Sequence, residues 1–247
     1  MKTALVALAA AVSMLILGAC TTPSGVVSQQ VSVPSAMTIA QDGPCCGPIT
    51  PKARHLLQVL NTSDLEDLWQ ARVHVAWDTG KPDLSASDEE AFARIDPDKT
   101  HCSAYAAAMA QRMGVYILRP PSHDQKLLAS AQGIWLGSGS GRSAGWWKVD
   151  SPEQAQALAN SGRLVVVVYV SPEPLHHPGH IAIVLPNDKR TLQQIEDKGV
   201  LLTYAGKHNL LKATEKHSFS GHPGAFPNEV KYFAHDLPDQ PSSQSSN

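Results

Sequence analysis

An uninterrupted apolar run from Leu164 to Val170 constrains the fold of this chain more than any other feature. Its β-branched residues favour a strand, and the absence of polar alternation is typical of a strand covered on both faces. Strand-like patterns also occupy residues 180–185, 200–204 and 229–235. We therefore expect a sheet with at least one strand buried on both sides.

The residues before this run have the patterns of helices. Ser63–Glu66 and Ser87–Glu90 both have the capping-box form, in which a serine oxygen accepts from a first-turn amide and a glutamate reaches back. Ser151 followed by Pro152 predicts the start of another helix, which runs to Gly162. Helices followed by a mostly antiparallel sheet indicate the α+β fold class.

Residues 98–114 carry the strongest helix pattern. Thr100 is expected to cap this helix, and Gly114 to end it in the left-handed conformation. Cys102 then lies in the first turn, on one face with Ala106 and the residues that follow at helical spacing. We expect this helix to lie across the sheet, with Cys102 pointing toward whatever the helix packs on.

The N-terminus has the form of an export signal. A positively charged start precedes the apolar run 4–17, which is too short for a comfortable membrane span. Leu17-Gly18-Ala19-Cys20 resembles the bacterial lipobox, which implies that Cys20 is the acylated first residue of the mature protein. Thr21 after this cysteine implies the outer membrane, facing the periplasm. A plain secretory signal is the alternative.

Composition sets the domain boundaries. We expect a signal peptide at 1–19, a lipidated tether at 20–47 and a disordered tail at 238–247. The intervening residues 48–237 are enough for one domain with its own core. The formal net charge of −2, without a basic stripe, argues against nucleic acid as a partner.

The chain has four cysteines. Cys20 is assigned to the lipid, Cys45 and Cys46 are adjacent in a Gly-Pro-Cys-Cys-Gly-Pro turn, and Cys102 stands alone. A cysteine left over in an exported protein is either a reactive thiol or an intermolecular bridge. An inert buried thiol, or a bridge from Cys102 to Cys45 or Cys46, are the alternatives.

Cys102 and His180 form the candidate catalytic pair. The thiolate is the attacking form of cysteine, and the positive end of a helix favours that anion. An imidazolium at His180, at the head of the strand 180–185, would stabilise the thiolate and later protonate the leaving amine. The backbone amide of Cys102 could help to bind the oxyanion.

Two short motifs resemble the signatures of NlpC/P60-type and CHAP-type cell-wall hydrolases: Cys102-Ser103-Ala104-Tyr105 and Gly179-His180-Ile181-Ala182-Ile183-Val184. The resemblance extends over residues 98–236. It implies a papain-like core and thiol-dependent cleavage of amide bonds in the peptide stems of peptidoglycan. We expect no cofactor. His101 stands where an aspartate often precedes the cysteine of these hydrolases.

The group that orients the histidine in these hydrolases comes from the next strand. Tyr204 aligns with it, and His208 and Asn209 are nearby substitutes. A catalytically silent lipoprotein that binds peptidoglycan or a protein in the same groove is the alternative function, and a thiol-dependent acyl transferase is a third. A regulatory protein is a further partner that the sequence allows.

A histidine-rich segment allows a metal site as a further alternative. The zinc ligands would be His176, His177 and His180, completed by His235 or Asp236. No conventional ligand set completes this group, so we expect no metal and place His176 and His177 on an exposed loop.

Three tryptophans flank a Gly/Ser-rich segment: Trp135, Trp146 and Trp147. They either line a substrate groove, where aromatic rings stack on sugars, or anchor the core beneath a long loop.

Overall fold

Six strands form one antiparallel sheet in the computed structural model, which describes residues 43–83 and 100–238. In chain order they are β1 (Trp147–Val149), β2 (Leu164–Tyr169), β3 (His180–Val184), β4 (Leu201–Tyr204), β5 (Leu210–Thr214) and β6 (Lys231–His235). Their spatial order is β1-β6-β2-β3-β4-β5, so β2 lies inside the sheet. All six residues of β2 are buried, as its unbroken apolar pattern predicts. The α+β class is confirmed.

Helices cover both faces of this sheet. They are α1 (Pro51–Asn61), α2 (Cys102–Arg112), α3 (Leu128–Leu136), α4 (Gly139–Ser143), α5 (Pro152–Asn160), α6 (Leu192–Lys198) and α7 (Glu215–Ser218), with a further helical turn at Ala225–Glu229. On the first face, α2 and α3 pack on a core that includes Val166 and Ile181. On the second face, α5 packs on Val167 and Ala182. The two cores separate because side chains alternate along each strand.

Local signals at helix ends agree with the sequence in part. The Ser151 side chain accepts from the Gln154 amide and Pro152 occupies the first turn of α5, as predicted. Gly114 follows α2 with a φ of +74°, also as predicted. Thr100 is not the cap of α2, because His101 holds that position without a side-chain cap. The Thr100 hydroxyl hydrogen-bonds to the Cys102 sulfur instead.

The predicted capping box at Ser63 is wrong. The helix α1 ends at Asn61, and Ser63 lies in the turn that follows. Its side chain is fully buried, with its oxygen 3.4 Å from the Tyr105 hydroxyl, so it is not available to cap a new helix. The other predicted box, at 87–90, lies outside the described residues.

The folded domain begins earlier than residue 48. Cys45 is buried, and its amide donates to the Arg190 carbonyl at 2.7 Å, while Pro44 pairs with Thr191. Residues 43–47 therefore belong to the fold and not to a tether. The signal peptide, Cys20, the rest of the tether and residues 239–247 lie outside the described residues. Within the described part, no helix has the length and apolarity to cross a membrane.

Candidate functional site

Cys102 begins α2 on the first face of the sheet, as the sequence predicts. It is a free cysteine, 4% exposed, in the core that also contains Ile181. Burial raises the pKa of the thiol, although hydrogen bonds from the Ile181 and Ser103 amides act to lower it. The alternative of a bridge from Cys102 to Cys45 or Cys46 is wrong, because these two cysteines are bonded to each other. Cys102 therefore has the environment of a protonated, buried thiol.

His180 begins β3, but its side chain lies on the second face. Its ring packs edge-on against Tyr204 and Phe219, with centroids 5.0 Å apart in both cases. Both of these partners belong to the second core. Because successive side chains of a strand point to opposite faces, and Ile181 points toward Cys102, His180 points away from it. The structure therefore does not bring the predicted pair of Cys102 and His180 together.

A different group surrounds His180, which we call the His180 cluster: His180, Tyr204, Ser218, Phe219 and His222. The Nε2 atom of His180 lies 3.0 Å from the Ser218 hydroxyl oxygen. The ring of His222 stacks on that of His180 with centroids 5.7 Å apart and an interplanar angle of 21°. Tyr204 also hydrogen-bonds to the Ser218 side chain. The serine hydroxyl thus lies between a phenol and an imidazole.

The environment of the cluster keeps the imidazole of His180 neutral. Burial, and secondarily the neighbouring His222, lower the pKa of His180 to about 3. Burial also lowers the pKa of His222 and raises that of Tyr204. With Nδ1 protonated, the neutral ring accepts at Nε2, and the Ser218 hydroxyl donates to it. This is the arrangement of a general base beside an alcohol.

Short-range packing explains the glycine before His180. A Cβ at Gly179 would lie 2.2 Å from the Tyr169 carbonyl oxygen and 2.7 Å from the Ser130 hydroxyl oxygen. The chain can enter β3 this close to β2 only without a side chain at this position. Gly179 therefore has a structural role in placing His180 at the head of the strand.

Ser218 is placed by the helix α7. The Thr214 side chain caps this helix by accepting from the His217 amide. At its first residue, the buried Glu215 accepts from the Tyr232 hydroxyl at 2.5 Å and from the Val200 amide at 3.2 Å. Burial raises the pKa of Glu215 to about 7. These bonds tie α7 to β4 and β6, and so hold Ser218 against His180.

His222 is the most exposed member of the cluster. Residues 172–178 and 220–224 are largely exposed, and His222, in the second of these segments, is partly buried. His222 also contacts Tyr169 at the end of β2, with centroids 5.2 Å apart. His222 therefore lies between the buried ring of His180 and that of Tyr169. His176 and His177 are exposed in the first of these loops, as expected.

Of the residues considered for orienting the histidine, Tyr204 is the one that contacts it. His208 is exposed. The amide of Asn209 donates to the carbonyls of Leu65 and Leu68 at 2.8 and 2.7 Å, which holds the turn after α1. Sequence reasoning missed Ser218 and His222, because neither lies in a motif or a regular pattern. A serine and a histidine four residues apart are a weak signal until the fold places them beside His180.

The alternative zinc group is not assembled. Within the described residues, no three His, Cys, Asp or Glu side chains are grouped closely enough to hold a metal ion. His180 lies in the cluster above, whereas His235 Nε2 lies 2.8 Å from the Ala144 carbonyl oxygen and its ring packs on Trp146.

All three tryptophans pack on the hydrophobic cores, which favours the second interpretation. Trp146 is 1% exposed and donates to the Tyr116 carbonyl, so it is a core anchor. Trp135 and Trp147 are partly buried. Trp135 packs edge-on against the more exposed Tyr116, with centroids 5.4 Å apart.

Comparison with known proteins gives no relative from which the role of the site could be inferred. No protein-family model matches the chain, and no curated protein matches it either. The papain-like core and the NlpC/P60 or CHAP assignment therefore stay predictions that depend on the two short motifs.

Proposed function

We propose that this protein is a hydrolase of amide bonds in the peptide stems of peptidoglycan, with His180 as base and Ser218 as nucleophile. The observation that carries the proposal is the 3.0 Å contact between His180 Nε2 and the Ser218 hydroxyl oxygen. The motif around His180 supports the substrate class, since it resembles that of cell-wall hydrolases. The nucleophile differs from the one that the resemblance implies, because Cys102 lies on the other face of the sheet.

The first half of the reaction is acyl transfer to Ser218. His180 Nε2 accepts the hydroxyl proton as the serine oxygen attacks the stem carbonyl. The imidazolium then protonates the departing amine, which breaks the amide bond and leaves an ester on Ser218. Water, deprotonated by the same nitrogen, cleaves this ester and restores both groups. The low pKa of His180 keeps the base unprotonated at neutral pH.

Tyr204 and His222 assist from either side of the pair. The phenol of Tyr204, already hydrogen-bonded to Ser218, donates to the oxyanion that forms when the carbonyl is attacked. Its raised pKa keeps the phenol protonated for this purpose. The ring of His222 holds the plane of His180 by stacking and lies at the solvent side, where substrate enters.

Digestion of purified sacculi by the variant proteins tests this assignment. Ser218→Ala and His180→Gln should each lower muropeptide release by about three orders of magnitude, as expected for loss of one member of a catalytic pair. Ser220→Ala is the matched control, since the hydroxyl of this exposed serine donates to the nearby His217 carbonyl and not to a member of the cluster. Cys102→Ala should retain activity if it folds. Loss of activity in Cys102→Ala together with full activity in Ser218→Ala would overturn the proposal and restore the thiol mechanism.

Iodoacetamide labelling provides an independent measurement of Cys102. A nucleophilic thiolate would be alkylated quickly at mildly acidic pH, whereas a buried thiol of raised pKa reacts slowly. We expect slow labelling of the native protein at this pH, and at alkaline pH much faster labelling after addition of denaturant than before it. Fast labelling of the native protein would contradict the buried position of this sulfur.

A second candidate function is binding of peptidoglycan or a protein without cleavage. The observation that favours it is the burial of His180, Ser218 and Tyr204, which are 5%, 8% and 6% exposed. Such a closed hydrogen-bonded group also suits a purely structural pair. Co-sedimentation with sacculi that show no released muropeptides, unchanged by Ser218→Ala, would support this second function over the first.

The proposed location follows from the N-terminal motif. Acylation of Cys20 would attach the protein to the outer membrane, with the domain facing the peptidoglycan in the periplasm. The substrate and the membrane are then the partners, and no nucleic acid is proposed.

A further inference from the structure

The turn before α1 contains a disulfide bond between neighbouring residues, Cys45 and Cys46. The two cysteines differ in exposure. Cys45 is 8% exposed and belongs to the second core, whereas Cys46 is partly buried at its margin. The flanking residues Pro44 and Gly47 are exposed. The bond therefore joins a buried cysteine to a partly exposed one.

The backbone of this turn has a conformation that an ordinary residue avoids. Cys46 has a φ of +77°, in the left-handed region that is unfavourable for a residue with a Cβ. Gly47 continues with a φ of +84°, which a glycine adopts freely. The disulfide bond to Cys45 holds Cys46 in this left-handed conformation.

The turn is joined to the domain on two sides. The Cys45 amide donates to the Arg190 carbonyl at 2.7 Å. The buried Asn160 donates to the Gly47 carbonyl at 2.8 Å and accepts from the Asn187 amide at 2.7 Å, so one side chain binds the turn and the loop before α6. The Cys45 amide nitrogen is bonded directly to a ring atom, because Cys45 contributes its Cα, carbonyl carbon, Cβ and sulfur to the disulfide ring, whereas Gly47 contributes no atom to it.

We propose that the Cys45–Cys46 bond is a thiol–disulfide exchange site, reduced by a protein dithiol. A thiolate of the dithiol attacks the Cys46 sulfur from the solvent side and releases the Cys45 thiolate. The second thiolate of the dithiol then attacks its own partner sulfur in the mixed disulfide and releases Cys46. Two electrons pass to the pair, the two cysteines take up two protons, and the dithiol becomes a disulfide.

Reduction changes how residues 43–46 are held against the rest of the domain. Without the covalent ring, Cys46 leaves the left-handed region, and the Cys45 amide loses its bond to Arg190. The contact of Asn160 with Gly47 remains, since it does not depend on the ring. Reduction therefore frees residues 43–46 from the Arg190 contact while the helices and the sheet stay folded.

Trapping with thioredoxin, used as the probe dithiol, tests the exchange. A thioredoxin that lacks its second active-site cysteine should form a mixed disulfide with Cys46 of the native full-length protein, identified by peptide mass mapping. The bond should form equally with the Cys102→Ser variant and not with Cys46→Ser. Trapping at Cys102, or no trapping under native conditions while the denatured protein reacts, would overturn the proposal.

Hydrogen exchange then measures the structural consequence. Reduction should speed the exchange of the Cys45 amide by about tenfold or more, and leave the amides of β2 and β3 unchanged. The double variant Cys45→Ser/Cys46→Ser should show the fast exchange with or without reductant. Equal exchange of the Cys45 amide in the oxidised and reduced proteins would show that the bond does not hold this turn, and would contradict the inference. Neither result depends on the catalytic role of Ser218.

Discussion

His180 and Ile181 are neighbours in the chain, but they serve different cores. Ile181 packs on the first face, where its amide bonds to the Cys102 sulfur, while the His180 ring lies on the second face beside Ser218. A difference of one residue in a strand exchanges every side chain between the faces. The face of the sheet on which the His180 side chain lies therefore determines its neighbour. That neighbour is the Ser218 hydroxyl and not the Cys102 thiol.

The low pKa of His180 predicts a pH-dependent stability. The pKa is about 3 in the fold and 6.5 for an ordinary histidine, so the unfolded chain binds more protons between these values. Stability from the neutral ring is therefore complete above pH 6.5 and is lost as the pH falls toward 3. His222 adds to this trend, because its pKa is also lowered.

Urea unfolding of the wild type and His180→Gln at two pH values measures this effect. The free energy of unfolding of the wild type, relative to the variant, should fall by about 2 kcal/mol between pH 7 and pH 5. The comparison cancels the opposite contribution of Glu215, whose raised pKa of about 7 removes stability as the pH rises. Parallel pH curves for the two proteins would mean that His180 titrates normally in the fold.

The helix α3 lies unusually close to β2 at Gly133. A Cβ at Gly133 would lie 2.4 Å from a methyl carbon of Val170 and 2.9 Å from one of Val168. In a close-packed interior, neither the helix backbone nor the stiff side chains of Val168 and Val170 can move far enough to admit this Cβ. The helix therefore lies at this distance only because Gly133 has no side chain.

Alanine substitution at two glycines of this region tests the packing of α3. Gly133→Ala should lower the free energy of unfolding by about 1–3 kcal/mol through overpacking. Gly137→Ala is the matched control, because the nearest atom to its Cβ is 3.7 Å away and its φ of −78° suits alanine. The control should change stability by no more than about 0.5 kcal/mol. Equal losses in both variants would exclude the contact with β2 as the cause.

At the scale of the whole molecule, the proposed attachment to a membrane would depend on a lipid at Cys20. The described part has no helix that could span a bilayer, and Cys20 is the residue that resembles an acylation site. Each buried methylene of an acyl chain contributes about 0.8 kcal/mol, so several chains would hold the protein firmly. The lipid would place the His180 cluster within reach of peptidoglycan without constraining the domain itself.

Cell fractionation checks this attachment. The wild type should sediment with the outer membrane, whereas Cys20→Ala should appear in the soluble fraction or accumulate with its signal peptide uncleaved. Thr21→Ala is the control and should remain with the membrane, because it leaves the acylated sulfur unchanged. Release of the wild type into the soluble fraction would favour the plain secretory signal.

Local patterns in the sequence determined the elements that depend on nearby residues. The β2 strand, buried on both faces, follows from its unbroken apolar run, and the ends of α5 and α2 follow from Ser151-Pro152 and Gly114. The α+β class follows from the order of these elements. Such features need only contacts within a few residues, which are visible in the chain itself.

Only the tertiary structure decided which distant side chains meet. Ser218 lies 38 residues from His180, and Ser63 turns its hydroxyl to Tyr105, 42 residues away, instead of capping a helix. The motifs around Cys102 and His180 correctly placed each at the start of an element. They did not determine the face on which each side chain lies, because that depends on the register and packing of the sheet, which no segment of the chain determines alone.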